Sequence, residues 1–476
     1  MTPPPTTPDR VTPATASLAT ASLATVSLAT VSLATVSLAE AARFWWRLGL
    51  VSFGGPAGQI ALLHEELVER RRWLSERRFL HALNYCMLLP GPEATQLATY
   101  LGWLMHGTTG GLIAGGLFLL PSVLVLLTLS SLYALWGHLP LLSSVFWALK
   151  PVVLAIVIQA AWRLGRRTLH HPLLVGIAVS AFVGLSLLRL PYPWLVGAAA
   201  LTGWIAGRLR PAWFAGGRGS APAPTSTPPS QEGLPPVIHG DSTPTPEHGR
   251  FQGRSLALTL LCSGLALALP LAWLVWQGGW NGLLAALARF FTQVALVSFG
   301  GAYAVLPYVA QGAVERFGWL DAHQMIDGLA LGETTPGPLI MVVAFVGFMG
   351  GWNGSGSLAM ALQAALVVIW FTFLPTFVFI LAGAPLVELS RGNLRLGPPL
   401  TAITAAVVGV IASLALLFAA PSLAPGGQLD AGALALCLAA LVLLLRRGWG
   451  VMPLIGSAAL LGVLRLVLLT LAGGHQ

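Results

Sequence analysis

The sequence predicts an all-α polytopic membrane protein made of two inverted repeats, each with paired re-entrant or broken helices followed by transmembrane helices. Three observations predict it: an apolar composition, recurring apolar runs of membrane-spanning length, and a set of motifs that occurs twice at one fixed spacing.

Of the 476 residues, 56% are hydrophobic and 9% charged. Mean hydropathy is +0.78. Soluble domains carry roughly 25% charged residues, so this surface calls for a bilayer as its solvent. Apolar runs recur at Leu112–Trp136, Pro151–Trp162, Leu256–Trp276, Leu358–Leu381, Ala405–Ala420 and Ala431–Leu445. About 20 apolar residues suffice for a helix to cross the hydrocarbon core. The alternating strands of a barrel are absent, which leaves helices as the spanning elements.

The net charge of +9 is nearly all arginine, since Lys150 is the only lysine. The arginines sit in short loops between apolar runs, as in cytoplasmic loops of membrane proteins. That pattern argues for a lipid bilayer, and against nucleic acid, as the partner. Cys86, Cys262 and Cys437 are scattered in apolar stretches and read as packing residues. They form no disulfide framework or CxxC pattern, and His170-His171 has no metal partners at useful spacing. No metal or cofactor is expected.

Residues 1–40 read as a low-complexity tail. Met1–Pro13 is rich in Pro and Thr, and Ser-Leu-Ala-Thr then recurs every five residues from Ser17 to Ala39. A five-residue period spreads the leucines all round a helix, so helix is expected only near the end. Without a charged n-region the segment is a poor signal peptide. Residues 41–210 form the first repeat. Residues 211–254, rich in Pro, Gly, Ser and Thr, form a solvated linker. Residues 255–476 hold an extra helix and the second repeat.

A shift of 246 positions places Arg43, Phe44 and Leu50–Gly55 on Arg289, Phe290 and Leu296–Gly301. The same shift places Glu69, Arg70, Trp73 and Leu74 on Glu315, Arg316, Trp319 and Leu320, and Pro90-Gly91-Pro92 on Pro336-Gly337-Pro338. One ungapped offset joining three separated motifs signals a duplication.

The loops differ in charge. Arg70, Arg71, Arg72, Arg77 and Arg78 follow the first motif, whereas Gln311–Gln324 keeps only Arg316. Arg391 with Arg395, and Arg446 with Arg447, mark loops of the second half. Basic loops stay cytoplasmic, so the alternation predicts inverted halves. Every basic loop falls on one side only if the segments around Gly54-Gly55 and Pro90-Gly91-Pro92, with their twins, enter the membrane and return. Two re-entrant hairpins per half are therefore expected, with Leu256–Trp276 supplying the odd crossing. The N-terminus and linker are then cytoplasmic, and the C-terminus is extracytoplasmic.

Inverted repeats with broken helices are a transporter design. Pro and Gly interrupt the backbone ladder, and the N–H groups of the next half-helix favour an anion. The candidate substrate site is the four tips: Ser52, Gly54 and Gly55; Pro90, Gly91, Pro92, Thr95 and Gln96; Ser298, Gly300 and Gly301; Thr335, Pro336, Gly337 and Pro338. Gln59, Asn84 and Thr334 are further neutral donors nearby. Taken singly, each polar residue also reads as a helix–helix hydrogen bond, and each Gly or Pro as a plain kink. Ionisable groups inside apolar segments are costly. Glu93 directly follows Pro92, and Glu333 lies three residues before Pro336; both are candidate proton carriers, and Glu93 also fits a helix start. Lys150 is placed at the opening of a helix, as a substrate attractor or an interfacial snorkel. The charged run His64–His81 reads as an interfacial amphipathic helix.

The segments FWWRLGLVSFGGPAGQIALLHEELVERRRWLSERRFLHALNYCMLLPGPEATQLATYLGW, FFTQVALVSFGGAYAVLPYV and LGETTPGPLIMVVAFVGF resemble the bacterial chromate transporters, in their long two-domain form. The likeness runs from about Ala39 onward, apart from the linker. It implies movement of chromate across the cytoplasmic membrane, as efflux that confers resistance and is coupled to proton-motive force. Chromate is a compact tetrahedral oxyanion, and sulfate, nearly identical in shape and charge, is the expected competitor. The pentapeptide tail departs from the family, and Ala302 stands where the first half has Pro56. A homodimer is compatible with such a chain. The rivals are a sulfate, other oxyanion or lipid-phosphate carrier of the same architecture, a passive channel, and a membrane-embedded enzyme. The last would need an acidic metal cluster or a nucleophile–base pair, and the sequence shows neither.

Overall fold

The computed structural model describes residues 36–214, 251–299, 301–389, 397–425 and 427–473. The tail up to residue 35, most of the linker, Gly300, and the loop holding Arg391 and Arg395 lie outside the described residues. Among the described residues the structure is helical, with no β-strand.

The first half runs through α1 (Leu38–Val51), α2 (Gly55–His64), a π-helical turn (Glu65–Arg70), α3 (Glu76–Cys86), α4 (Glu93–Trp136), α5 (Pro140–Thr168), α6 (Pro172–Ser186) and α7 (Tyr192–Leu209). Next comes α8 (Gly253–Gly278). The second half runs through α9 (Leu283–Val297), α10 (Ala302–Ala310), a second π-helical turn (Gln311–Arg316), α11 (Ala322–Thr334), α12 (Val342–Ser355), α13 (Leu358–Leu389), α14 (Gly397–Leu423), α15 (Ala431–Arg446) and α16 (Val451–Gly473). Six of these helices are long and apolar enough to cross a membrane.

The duplication extends from motifs to elements. The 246-residue shift carries α1 to α3 onto α9 to α11, and the first π-helical turn onto the second residue for residue. Hydrogen bonding joins α4 into one element, but its backbone breaks at His106 and Gly107, where Gly107 has φ 65°. Its two parts match α12 and α13, which are separated at Gly356, also with φ 65°. Breaks at those two points require a residue without Cβ.

Two local expectations change. The run His64–His81 is no single helix: it ends α2, forms the π-helical turn, passes through a loop with Arg72 at φ 53°, and enters α3. Ser75 caps α3 by accepting from the Arg78 amide at 3.3 Å, which stops a helix from running through. Lys150 does not open a helix. α5 starts at Pro140 and continues through Pro151, so Lys150 lies in its interior.

Packing between the halves is reciprocal. α5 packs on α15 and α16, while its counterpart α14 packs on α6 and α7. α1 packs on α4 and α9 on α13, and α4 and α13 contact each other. Contacts in which i meets j′ and j meets i′ are the signature of a two-fold relation. α8 buries no residue and rests on α9 and α13.

Candidate functional site

Each half opens with the same chain reversal. α1 ends at Ser52 (φ −82°, ψ 77°) and α9 at Ser298 (φ −81°, ψ 66°). In both, the following amide closes an inverse γ-turn, Phe53 to the Val51 carbonyl at 3.0 Å and Phe299 to the Val297 carbonyl at 2.9 Å. This turn frees the serine carbonyl from its own helix. The carbonyls of Ser52 and Ser298 then accept from the other half: Gly337 donates its N–H to Ser52 at 2.6 Å, and Gly91 donates its N–H to Ser298 at 2.9 Å. The 246-residue shift converts one bond into the other.

These bonds decide what each tip supplies. Pro90, Pro92, Pro336 and Pro338 have no N–H, and the amides of Gly91 and Gly337 are engaged. The two Pro-Gly-Pro turns are also buried. They are thus a staple between the halves, and offer no amide of their own to a ligand. The other two tips are more open: Gly54 is exposed, and Gly55 and Gly301 are partly so. α2 starts after Gly54 (φ 91°) and α10 after Gly301 (φ 88°), neither with a side-chain cap. The first N–H groups of a helix have no partner within it, so these two starts present bare donors.

The side chains predicted at the tips divide by half. Ser52 Oγ, Thr95 Oγ1, Gln96 Oε1 and Gln59 Oε1 are buried without a partner. Gln96 donates instead to the Pro90 carbonyl at 2.8 Å and Gln59 to the Ser52 carbonyl at 3.4 Å, bracing the tips. In the second half Ser298, Thr334 and Thr335 donate to carbonyls of their own helices. Asn84 is exposed. Free hydroxyls at the tips therefore come from the first half.

The two acidic candidates gather at one tip. A Cβ built on Gly301 would lie 3.8 Å from Glu93 Oε1. Two residues on, Tyr303 donates its hydroxyl to Glu333 Oε1 at 2.6 Å. The first turn of α10 thus has a carboxylate from each half beside it. The shift places neither acid at the matching tip, because Glu93 maps onto Leu339 and Glu333 onto Met87. Lys150 is held elsewhere: its Nζ lies 3.3 Å from Asp327 Oδ2, which also accepts from the Tyr133 hydroxyl at 2.9 Å.

Asp327, Tyr133 and Tyr303 lie outside the set that the sequence predicts. Asp327 stands in the apolar stretch MIDGLALGETTPGP, where the rule that selected Glu333 would have selected it too. Nothing in the sequence distinguishes the two tyrosines from ordinary core aromatics.

The sequence profile described as Chromate transporter matches residues 39–204 and 285–463, on either side of the linker. The chain is 31% identical over 401 residues to the chromate transport protein of Pseudomonas aeruginosa, covering 82% of this chain and 84% of that one. It is 28% identical over 428 residues to the chromate transport protein of Cupriavidus metallidurans, covering 89% and 92%. A probable chromate transport protein of Synechococcus elongatus is 29% identical over 386 residues, covering 81% and 85%. No solved structure matches the chain.

Proposed function

The chain belongs to the chromate transporter family, and from that premise we propose that it exports chromate across the cytoplasmic membrane under proton-motive force. The observation that carries this reading is the first turn of α10. There, uncapped helix N–H groups that suit an oxyanion meet Glu93 and Glu333. An ionised carboxylate would repel a dianion from the same donors, so the charge on these two acids governs when chromate binds and when it leaves. That links the two ions at one place. The potential acts on chromate itself as well. Moving a dianion out of an inside-negative cell gains roughly 4.6 kcal/mol per 100 mV, twice the single-charge value.

The halves, residues 41–210 and 255–476, lie inverted in the membrane in this reading, with the N-terminus and the linker cytoplasmic. Two hydrogen bonds support it. Gln159, one turn before Arg163, donates to the Leu444 carbonyl beside Arg446 at 3.2 Å, which gathers basic loops at one end. His106 meets the Val36 carbonyl at 2.8 Å, which ties the end of the tail to the α4 break. Sulfate, with the same shape and charge, competes for the site.

Everted vesicles containing the protein should accumulate chromate when energised, and excess sulfate should slow that uptake. Vesicles that move sulfate or a lipid phosphate but no chromate would overturn the substrate.

A further inference from the structure

Several hydroxyls on these helices bond back to the carbonyl four residues earlier. Thr99, Thr128, Ser130, Ser131, Thr292 and Thr404 all do so at 2.7–2.8 Å. Such a bond satisfies a hydroxyl in an apolar surround. Ser122 on α4 and Thr376 on α13 break the pattern. Both are buried, 0% and 1% exposed, and both hydroxyls lack a partner. A buried hydroxyl without a partner is costly and asks for an explanation.

Each follows a proline inside its helix, Pro121 and Pro375, in the sequences Leu-Pro-Ser and Leu-Pro-Thr. These are one repeated motif at a spacing of 254, which exceeds 246 because the second half is longer around the Gly356 break. Each also lies against the staple of the opposite half. A Cβ built on Gly91 would come 2.9 Å from Thr376 Oγ1, and one on Gly337 would come 2.6 Å from Ser122 Oγ. The two-fold relation that joins Gly91 to Ser298 and Gly337 to Ser52 thus also joins Gly91 to Thr376 and Gly337 to Ser122. Thr372, one helical turn before Thr376, is likewise buried with a free hydroxyl.

We propose that Ser122 and Thr376 are hydroxyl donors that bind the transported tetrahedral oxyanion, one from each half, set beside the Pro-Gly-Pro turns. This rests on the oxyanion reading of the tips and adds donors to them. Because the turn amides are spent on the staple, the anion needs other hydrogen-bond donors near those turns. A hydroxyl released from back-bonding fills that need, as it can donate to an anion without bringing in a positive charge.

The test uses the full chain in everted vesicles, with chromate as the probe. Thr376→Val removes the hydroxyl and keeps the shape, Thr376→Ser keeps the hydroxyl, and Ser122→Ala removes its partner. The half-saturation concentration for chromate should rise about tenfold or more in Ser122→Ala and in Thr376→Val, with membrane levels unchanged. Thr376→Ser should stay within about threefold of wild type. Wild-type affinity in the double variant Ser122→Ala/Thr376→Val overturns the proposal while leaving the substrate reading intact. A tenfold loss in Thr376→Ser as great as in Thr376→Val also overturns it, since packing would then be the cause. A wild-type protein that moves no chromate overturns the substrate reading itself. Binding of sulfate to the purified protein, compared between wild type and double variant, then decides on the hydroxyls by the same criterion.

Discussion

Lys150, the only lysine of the chain, closes an ion pair across the two halves with Asp327, at 3.3 Å between Nζ and Oδ2. Asp327 is 4% exposed, and Tyr133 donates to the same oxygen. Removing one partner of such a pair strands the other charge, which costs about 3–5 kcal/mol. Lys150→Met and Asp327→Asn should therefore each lower the thermal midpoint in detergent, and the double variant should recover most of the loss. Equal losses that simply add in the double variant would show that the two side chains do not pair in the working protein.

Glu93→Gln and Glu333→Gln should impair chromate uptake into energised vesicles more than they impair chromate binding. Tyr303→Phe loses one hydrogen bond to Glu333, worth about 1.5–3 kcal/mol for a charged acceptor. It should shift the pH profile of uptake in vesicles without changing membrane levels. Unchanged profiles in all three would remove these groups from coupling.

The tip glycines should separate into two kinds. Gly91 (φ 131°) and Gly337 (φ 106°) have no room for a Cβ, so alanine at either should cost at least about 2–3 kcal/mol and reduce folded protein in the membrane. Gly55 (φ 69°) has nothing within 4 Å of a built Cβ. Gly55→Ala should cost only about 1–2 kcal/mol of backbone strain and leave the protein folded. Its uptake of chromate should fall, because the added methyl occupies open space at the α2 start. Fluorescence-detected size exclusion and vesicle uptake separate the two outcomes.

For topology, a cysteine at Arg72 and one at Glu315 should react with an impermeant maleimide from opposite sides of the membrane, in a background with Cys262→Ser. Labelling of both from one side would end the inverted arrangement.

Outside the spanning segments, Asp430 caps α15. It accepts from Trp147 Nε1 at 2.7 Å and from the amides of Gly432 and Ala433 at 2.8 and 3.1 Å. The Trp147 bond, then that from Ala433, holds its carboxyl below the ordinary carboxylate range. The stabilisation is thus present above the ordinary carboxylate pKa and is lost as pH falls through the lowered value. Asp430→Ala should cost about 1 kcal/mol at neutral pH, and melting curves should show the difference shrinking at strongly acid pH.

The sequence makes the membrane class, the duplication and the helix breaks legible, because composition and Gly-Pro chemistry act locally. Glu93 and Glu333 are visible for the same reason, as charges in apolar runs. The staple is not legible. That the Gly91 and Gly337 amides are spent depends on Ser298 and Ser52 arriving from the other half, which no local signal records. The sequence puts Lys150 at a helix start because Pro151 reads as one, whereas α5, packed against α15 and α16, runs through it. Ser122 and Thr376 left a trace in the recurring Leu-Pro-Ser and Leu-Pro-Thr. A fixed offset of 246 hides it, since the second half has gained residues before that point.

The cross-half staple also sets a schedule for synthesis. Gly91 finds its hydrogen-bond acceptor 207 residues later, at Ser298, and its packing neighbour 285 residues later, at Thr376. At about 5–20 residues per second the ribosome needs roughly 10–40 s to cover the shorter interval. Through that interval the first Pro-Gly-Pro turn waits with an unmatched amide in a surround that penalises it. The first half is therefore a provisional structure as it leaves the translocon, and becomes definite only when α13 is in place.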